Sequence, residues 1–177
     1  SEMCIRDRCW LLWWWLHTEP RMSKTPPAPI VFEPEFIAGL KAIFEERIVF
    51  NQVLGLKITS VEAERVTARI AMRPELVGHF AYNRIHGGVI SASLDALGGL
   101  ACMAAIGARH MDEAPEQRLH RFAKLGTIDL RVDYLRPGIS EHFDLSADVL
   151  RLGSRVASTR MEFRLSLIHI SEPTRPL

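Results

Sequence analysis

Between Ile85 and Gly107 the chain reads IHGGVISASLDALGGLACMAAIG, where every residue is apolar or small except His86 at the entrance and Asp95 in the middle. A carboxylate buried without a partner costs several kcal/mol. Asp95 therefore either points to water or is placed for chemistry. Hydrolysis at an acyl carbonyl suits the set. It needs donors where negative charge develops on the carbonyl oxygen, and a base or nucleophile on the opposite side. A glycine pair at a helix start, Gly87 and Gly88, leaves backbone N–H groups unpaired and lets a ligand approach closely. The helix dipole adds partial positive charge there. Gly87 or Gly88 is thus the candidate oxyanion donor, and Asp95 the candidate general base or nucleophile. His86 is placed to orient a substrate or assist a departing group. Plainer readings stand beside these: Asp95 hydrogen-bonded to backbone in a core, and His86 satisfying a loop carbonyl.

Spacing adds a constraint. Gly87 and Asp95 are eight residues apart on one predicted helix, about 12 Å along its axis. A reacting carbonyl must lie about 3 Å from both its oxyanion donor and the attacking group. One chain cannot bring its own pair together. The spacing predicts a shared site, with the helix N-terminus of one protomer facing Asp95 of another.

The elements that would hold these residues follow from periodicity. PEFIAGLKAIFEERIVF puts Phe36, Ile37, Leu40, Phe44 and Ile48 on one helical stripe, with Pro34 at a first helical position. Val66, Ala68, Ile70 and Met72 alternate with polar neighbours as in a strand, and Glu62–Glu64 is placed to turn a preceding strand back on it. RPELVGHFAYNR reads as a loop. The Ile85–Gly107 segment is rich in alanine and leucine, poor in β-branched residues and too long for a strand, so a helix of roughly 33 Å is expected. Apolar nearly all round, it belongs inside a fold. A membrane span competes, but a mid-bilayer aspartate costs about 2.5–3.5 kcal/mol, and no membrane role is expected. A charged linker from Arg109 to Arg121 follows. In GTIDLRVDYLRPG, Ile128, Leu130, Val132 and Tyr134 share one face and Thr127, Asp129, Arg131 and Asp133 the other, predicting a half-buried strand ended by Pro137–Gly138. HFDLSADVL and VASTRMEF repeat the alternation around the turn RLGSR. The expected class is α+β: an antiparallel sheet wrapped around one long central helix.

At this point a resemblance is carried by the motifs IHGG, the LD that places Asp95 nine residues after His86, IDLRVDYLRPG, FNQVLGLKI and PELVGHF. Together they resemble the hotdog-fold acyl-CoA thioesterases of the phenylacetate-pathway type, most of all bacterial members acting on medium- or long-chain acyl-CoA, over about Pro34 to Arg164. The resemblance implies an acyl-CoA substrate, a homodimer or dimer of dimers with sites shared between protomers, and no cofactor or metal. Thr127 falls where the family often has a Ser or Thr that positions the hydrolytic water, although its strand parity is equally compatible with plain solvent exposure. Many relatives carry an Asn six residues before the histidine; here that position is Phe80, beside His79, while Asn83 stands three before. His79 and Asn83 are therefore substrate-binding candidates. Arg136 and Arg131 are placed to meet coenzyme A phosphates, or to form a solvated face. The family sheet is implied to have six strands, the last lying between the third and fifth. At most five are legible here, so the last is expected to be missing. Two other readings use the same fold. A dehydratase or hydratase needs a histidine paired with a carboxylate, but the residue fourteen after His86 is Leu100. A non-catalytic acyl-CoA-binding protein is the third.

Composition narrows the setting. A net charge of +1 without a basic run gives nucleic acid no electrostatic footprint. Of three cysteines only Cys102 lies in the expected domain, and no Cys/His spacing suggests zinc, which predicts a reducing, cytoplasmic setting. CWLLWWWLH is too short for a membrane span. The opening SEMCIRDR and the closing SLIHISEPTRPL resemble translated sequencing-adapter read-through. The expectation is a non-native lead over 1–21, a flexible segment over 22–33 after Met22, a catalytic domain over 34–165 and a non-native tail over 166–177. Resequencing the source locus tests it.

Overall fold

The structure, a computed structural model, describes residues 30–166. The expected lead over 1–21, most of the 22–33 segment and the tail beyond Ser166 lie outside the described residues.

The first helical stretch is not one helix. α1 (Pro34–Lys41) runs into a π-helical turn (Ala42–Arg47), and the chain straightens at Ile48 before α2 (Val49–Leu54). The apolar stripe explains the first part: Phe36, Leu40 and Phe44 are buried, whereas Ile48, past the break, is exposed. α2 ends at Gly55, whose left-handed φ of 70° a side chain would resist. β1 (Lys57–Val61) and β2 (Arg65–Ala71) form the expected hairpin, closed where Glu62 N–H donates to Arg65 C=O. Val66, Ala68 and Ile70 face inward as their alternation predicts.

The segment read as a loop contains a small hairpin, β3 (Val77–His79) with β4 (Arg84–Ile85). α3 (Gly87–Arg109) is the long central helix. The charged linker also holds structure: α4 (Pro115–His120) packs on α1 and places Arg118 in the core. β5 (His142–Leu152) and β6 (Ala157–Leu165) complete an antiparallel sheet of order β1-β2-β5-β6. Leu97, Leu100 and Ala104 of α3 bury against Phe143, Leu145 and Ala147 of β5 and the inner face of β2. Each apolar surface is the other's cover, the arrangement an α+β domain of this element order needs. Among the described residues α3 is the one helix long and apolar enough to cross a membrane, and it serves here as the core helix.

One expected strand is absent. Residues 126–138 carry no regular secondary structure, and Ile128 and Leu135 are 80% and 88% exposed. The alternation predicted a half-buried strand, but a strand exists only by pairing. On the side away from β5, β6 has no neighbour among the described residues, and the 126–138 segment is part of neither sheet.

Candidate active site

The entrance of α3 is fixed by His86. Its backbone is extended (φ −69°, ψ 134°), and its N–H donates to Leu76 C=O at 2.8 Å. Val89 and Ile90 N–H return to its carbonyl, as at any helix start. Its imidazole then acts as the helix cap, Nδ1 accepting from Gly88 N–H at 2.9 Å. This separates the two glycines. Gly88 N–H is engaged, while Gly87 N–H has no acceptor among the described residues. A side chain at Gly88 would also crowd the ring, its Cβ lying 2.9 Å from His86 Nδ1, whereas one at Gly87 would make only ordinary contact with Tyr134. The bareness of Gly88 serves the cap; that of Gly87 relieves no clash among the described residues.

Asp95 lies two helical turns further on, half-buried. Thr127 Oγ1–H donates to its Oδ1 at 2.6 Å. At the other end of the same extended segment Tyr134 O–H donates to Gly87 C=O at 2.9 Å. The segment therefore runs antiparallel along α3, tied at both ends by a hydroxyl. Strict strand alternation would put Thr127 and Tyr134 on opposite faces; released from a ladder, the chain turns both toward the helix. Strand parity puts Tyr134 on the apolar face, so the sequence carries no signal of the tyrosine tie. Cys102, on the same helix, is buried, and burial pushes its thiol pKa up. A protonated, enclosed thiol is a poor nucleophile.

Arg136 joins Arg84, Ile90 and Tyr134 around an open cleft of about 370 Å³ beside the α3 entrance. Neither arginine meets a carboxylate among the described residues, and Arg84 Nε is enclosed without a hydrogen-bond partner. Nothing in the sequence around Arg84 signals this position. Arg131 instead reaches Asp133 at 3.3 Å on the surface. His79 stacks near Phe80 and Tyr82 on the exposed hairpin, and Asn83 supplies the left-handed turn (φ 46°) that closes it. Asn tolerates that conformation better than most residues, so its position has a backbone reason. Neither side chain reaches Asp95 or His86 by a hydrogen bond within the chain. Among the described residues no three His, Cys, Asp or Glu cluster to hold a metal.

Comparison with known proteins says what kind of chain carries this arrangement. Residues 82–166 match the family described as the thioesterase superfamily. The medium/long-chain acyl-CoA thioesterase YigI of Escherichia coli K12 is 38% identical over 120 residues, 68% of this chain and 77% of that one. The chain belongs to the thioesterase superfamily. A Shewanella oneidensis protein related to that superfamily superposes with a TM-score of 0.68 at 37% identity, covering 76% of this chain and 90% of its own. The E. coli PaaI protein of the phenylacetic acid degradation operon shares the fold, with a TM-score of 0.55 at 17% identity over 73% of this chain and 80% of that one. The α+β hotdog architecture read from the motifs is thus the thioesterase's own.

Proposed function

We propose that the unit over 34–165 hydrolyses acyl-CoA thioesters to a free acid and coenzyme A, in a homodimer or dimer of dimers. One observation carries the reading. A single rigid helix presents a free N–H at Gly87 and, two turns along, a carboxylate held by Thr127. The separation of about 12 Å keeps the two from one carbonyl, so the α3 entrance of one protomer serves Asp95 of its partner. The thioester oxygen is held at Gly87 N–H, where the helix dipole stabilises developing negative charge. Asp95 acts from the opposite side, in one of two ways. As base it takes a proton from water, whose oxygen bonds to the carbonyl carbon as the C–S bond breaks. As nucleophile its own oxygen forms that bond, and water cleaves the resulting anhydride. In both routes the thiolate leaves and takes up a proton. Thr127 engages Oδ1 and leaves Oδ2 for the reaction.

The cleft with Arg84 and Arg136 offers two guanidiniums that meet no carboxylate among the described residues, suited to the phosphates of coenzyme A. His79 and Asn83 sit on an exposed hairpin just before the α3 entrance, within the reach of a long substrate. The name of the YigI relative makes medium- and long-chain acyl-CoA the first substrates to assay. A cytoplasmic setting belongs to the same reading, Cys102 being a free thiol. The dehydratase alternative loses ground because Leu100, at the spacing where it needs an acid, is fully buried in the core. Thiol release from an acyl-CoA chain-length series, by the wild type and by Asp95→Asn, tests the proposal. Equal turnover by both proteins would end it.

A further inference from the structure

Gly78, in the middle of β3, lies directly against His86. A Cβ built on Gly78 would stand 2.6 Å from His86 Cα, 2.8 Å from its Cβ and 2.9 Å from Cδ2. Carbon atoms pack at about 3.5–4.0 Å, so no side chain fits there without moving the histidine. Two of the obstructing atoms, Cα and Cβ, cannot rotate away. The demand is steric, because Gly78 is not among the positive-φ glycines. In the hairpin, where Val77 pairs with Ile85 and His79 with Arg84, Gly78 is the extra residue of a bulge, which brings its backbone against His86.

His86 is therefore seated on three sides. Its backbone N–H is tied to Leu76 C=O, its Nδ1 accepts from Gly88 N–H, and its Cδ2 edge rests on bare backbone at Gly78. An Nδ1 that accepts carries no proton, so the neutral ring carries it on Nε2. Nε2 has no hydrogen-bond partner among the described residues, and the imidazole is exposed. The seat fixes both the tautomer and the direction of a single free donor, next to the free N–H of Gly87.

We propose that Gly78 is a positioning residue for the thioesterase reaction. Its lack of a side chain lets His86 cap α3 through Nδ1 and present Nε2–H to the thioester sulfur or carbonyl held at Gly87. This rests on the acyl-CoA hydrolase reading. A donor aimed at a fixed point strengthens charge development there only while its geometry holds, so tilting the ring weakens turnover more than binding.

The test is a double-mutant cycle in the full chain with an acyl-CoA substrate: Gly78→Ala, His86→Ala and the pair. The expected result is a fall in kcat of about tenfold for each single variant with KM changed less than about threefold, and no further loss when Gly78→Ala is added to His86→Ala. Equal losses from Gly78→Ala in both backgrounds would show that it acts on the hairpin rather than through the histidine, overturning the proposal. A silent His86→Ala would overturn it too, while Asp95→Asn would still report separately on the hydrolase reading. Should Gly78→Ala not fold, ¹⁵N NMR of the wild-type histidines decides. An unprotonated Nδ1 and protonated Nε2 at His86 are expected, and the opposite tautomer contradicts the seat.

Discussion

Thr127 Oγ1 donates a hydrogen bond to Asp95 Oδ1 across 2.6 Å, joining an extended segment to the middle of the central helix. A hydroxyl that donates to a carboxylate fixes one oxygen and so orients the other. Hydrogen bonds to charged groups contribute about 1.5–3 kcal/mol, and 1.36 kcal/mol on a barrier is about tenfold in rate. Thr127→Val is expected to lower kcat by roughly ten- to a hundredfold, and Thr127→Ser to keep most of it. Steady-state thiol release measures both; a valine variant with full kcat would remove Thr127 from the site.

Asp95→Asn keeps an oxygen that accepts from Thr127 while removing the charge and basicity. The folded structure should tolerate it, with a melting temperature near that of the wild type. A positioned general base contributes about 10²–10⁴-fold, so kcat is expected to fall within that range. Kinetics and thermal melts on the same preparation separate a chemical loss from a folding loss.

Where periodicity and burial agree, the sequence was sufficient. Val66, Ala68 and Ile70 alternate because β2 is paired on both sides, and the alanine-rich run from Gly87 is helical because nothing in it resists that. The order of His86, Gly87, Gly88 and Asp95 along one axis was legible for the same reason, because helical spacing fixes it. The 126–138 segment failed where a partner was needed. Its alternation is that of a strand, but the hydrogen bonds that make a strand come from neighbours absent from the described residues. Arg118 was equally invisible. On charge alone it reads as solvated, and Phe36 and Glu33, far away in sequence, help make its burial tolerable.

Gly87→Pro offers a clean deletion of the proposed oxyanion donor. Proline is accepted at a first helical position, and His86 already has the extended backbone that a following proline requires. The variant should therefore fold and lose most activity. Mixing it with Asp95→Asn under conditions that allow subunit exchange should restore up to one active site per mixed dimer, since one intact α3 entrance then faces one intact Asp95. Exchange verified by mass spectrometry with no recovered turnover would refute a shared site.

Two glycines of α3 should respond in opposite directions to alanine. A Cβ at Gly107 would stand 2.3 Å from Cζ of Phe36, whose ring is fully buried, whereas one at Gly99 meets nothing within 4 Å. Alanine gains about 1 kcal/mol of helix propensity over glycine, while overpacking a core costs about 1–3 kcal/mol. Gly107→Ala is expected to be net destabilising by up to about 2 kcal/mol, and Gly99→Ala to stabilise the isolated protomer by up to about 1 kcal/mol. Denaturant melts of both variants check the signs.

Arg118 makes the last case, because its guanidinium is fully buried while its partner Glu33 keeps contact with solvent. The ring of Phe36 lies 4.4 Å beneath the guanidinium, and Glu33 is the carboxylate bonded to it. The hydrogen bond from Arg118 holds the Glu33 carboxyl below its ordinary value of 4.5. A lowered folded pKa means that the unfolded chain binds the proton first. The pair's contribution is therefore complete above about pH 4.5 and is lost as pH falls through the lower folded value. Glu113, lowered by Arg121, titrates in the same direction, so the difference between wild type and Glu33→Gln isolates Glu33. Glu33→Gln should melt lower than wild type at neutral pH, and the two curves should converge on acidification. Melting temperatures measured from about pH 7 down to about pH 3 decide it: parallel curves would mean that the charge on Glu33 contributes nothing to holding Arg118 inside.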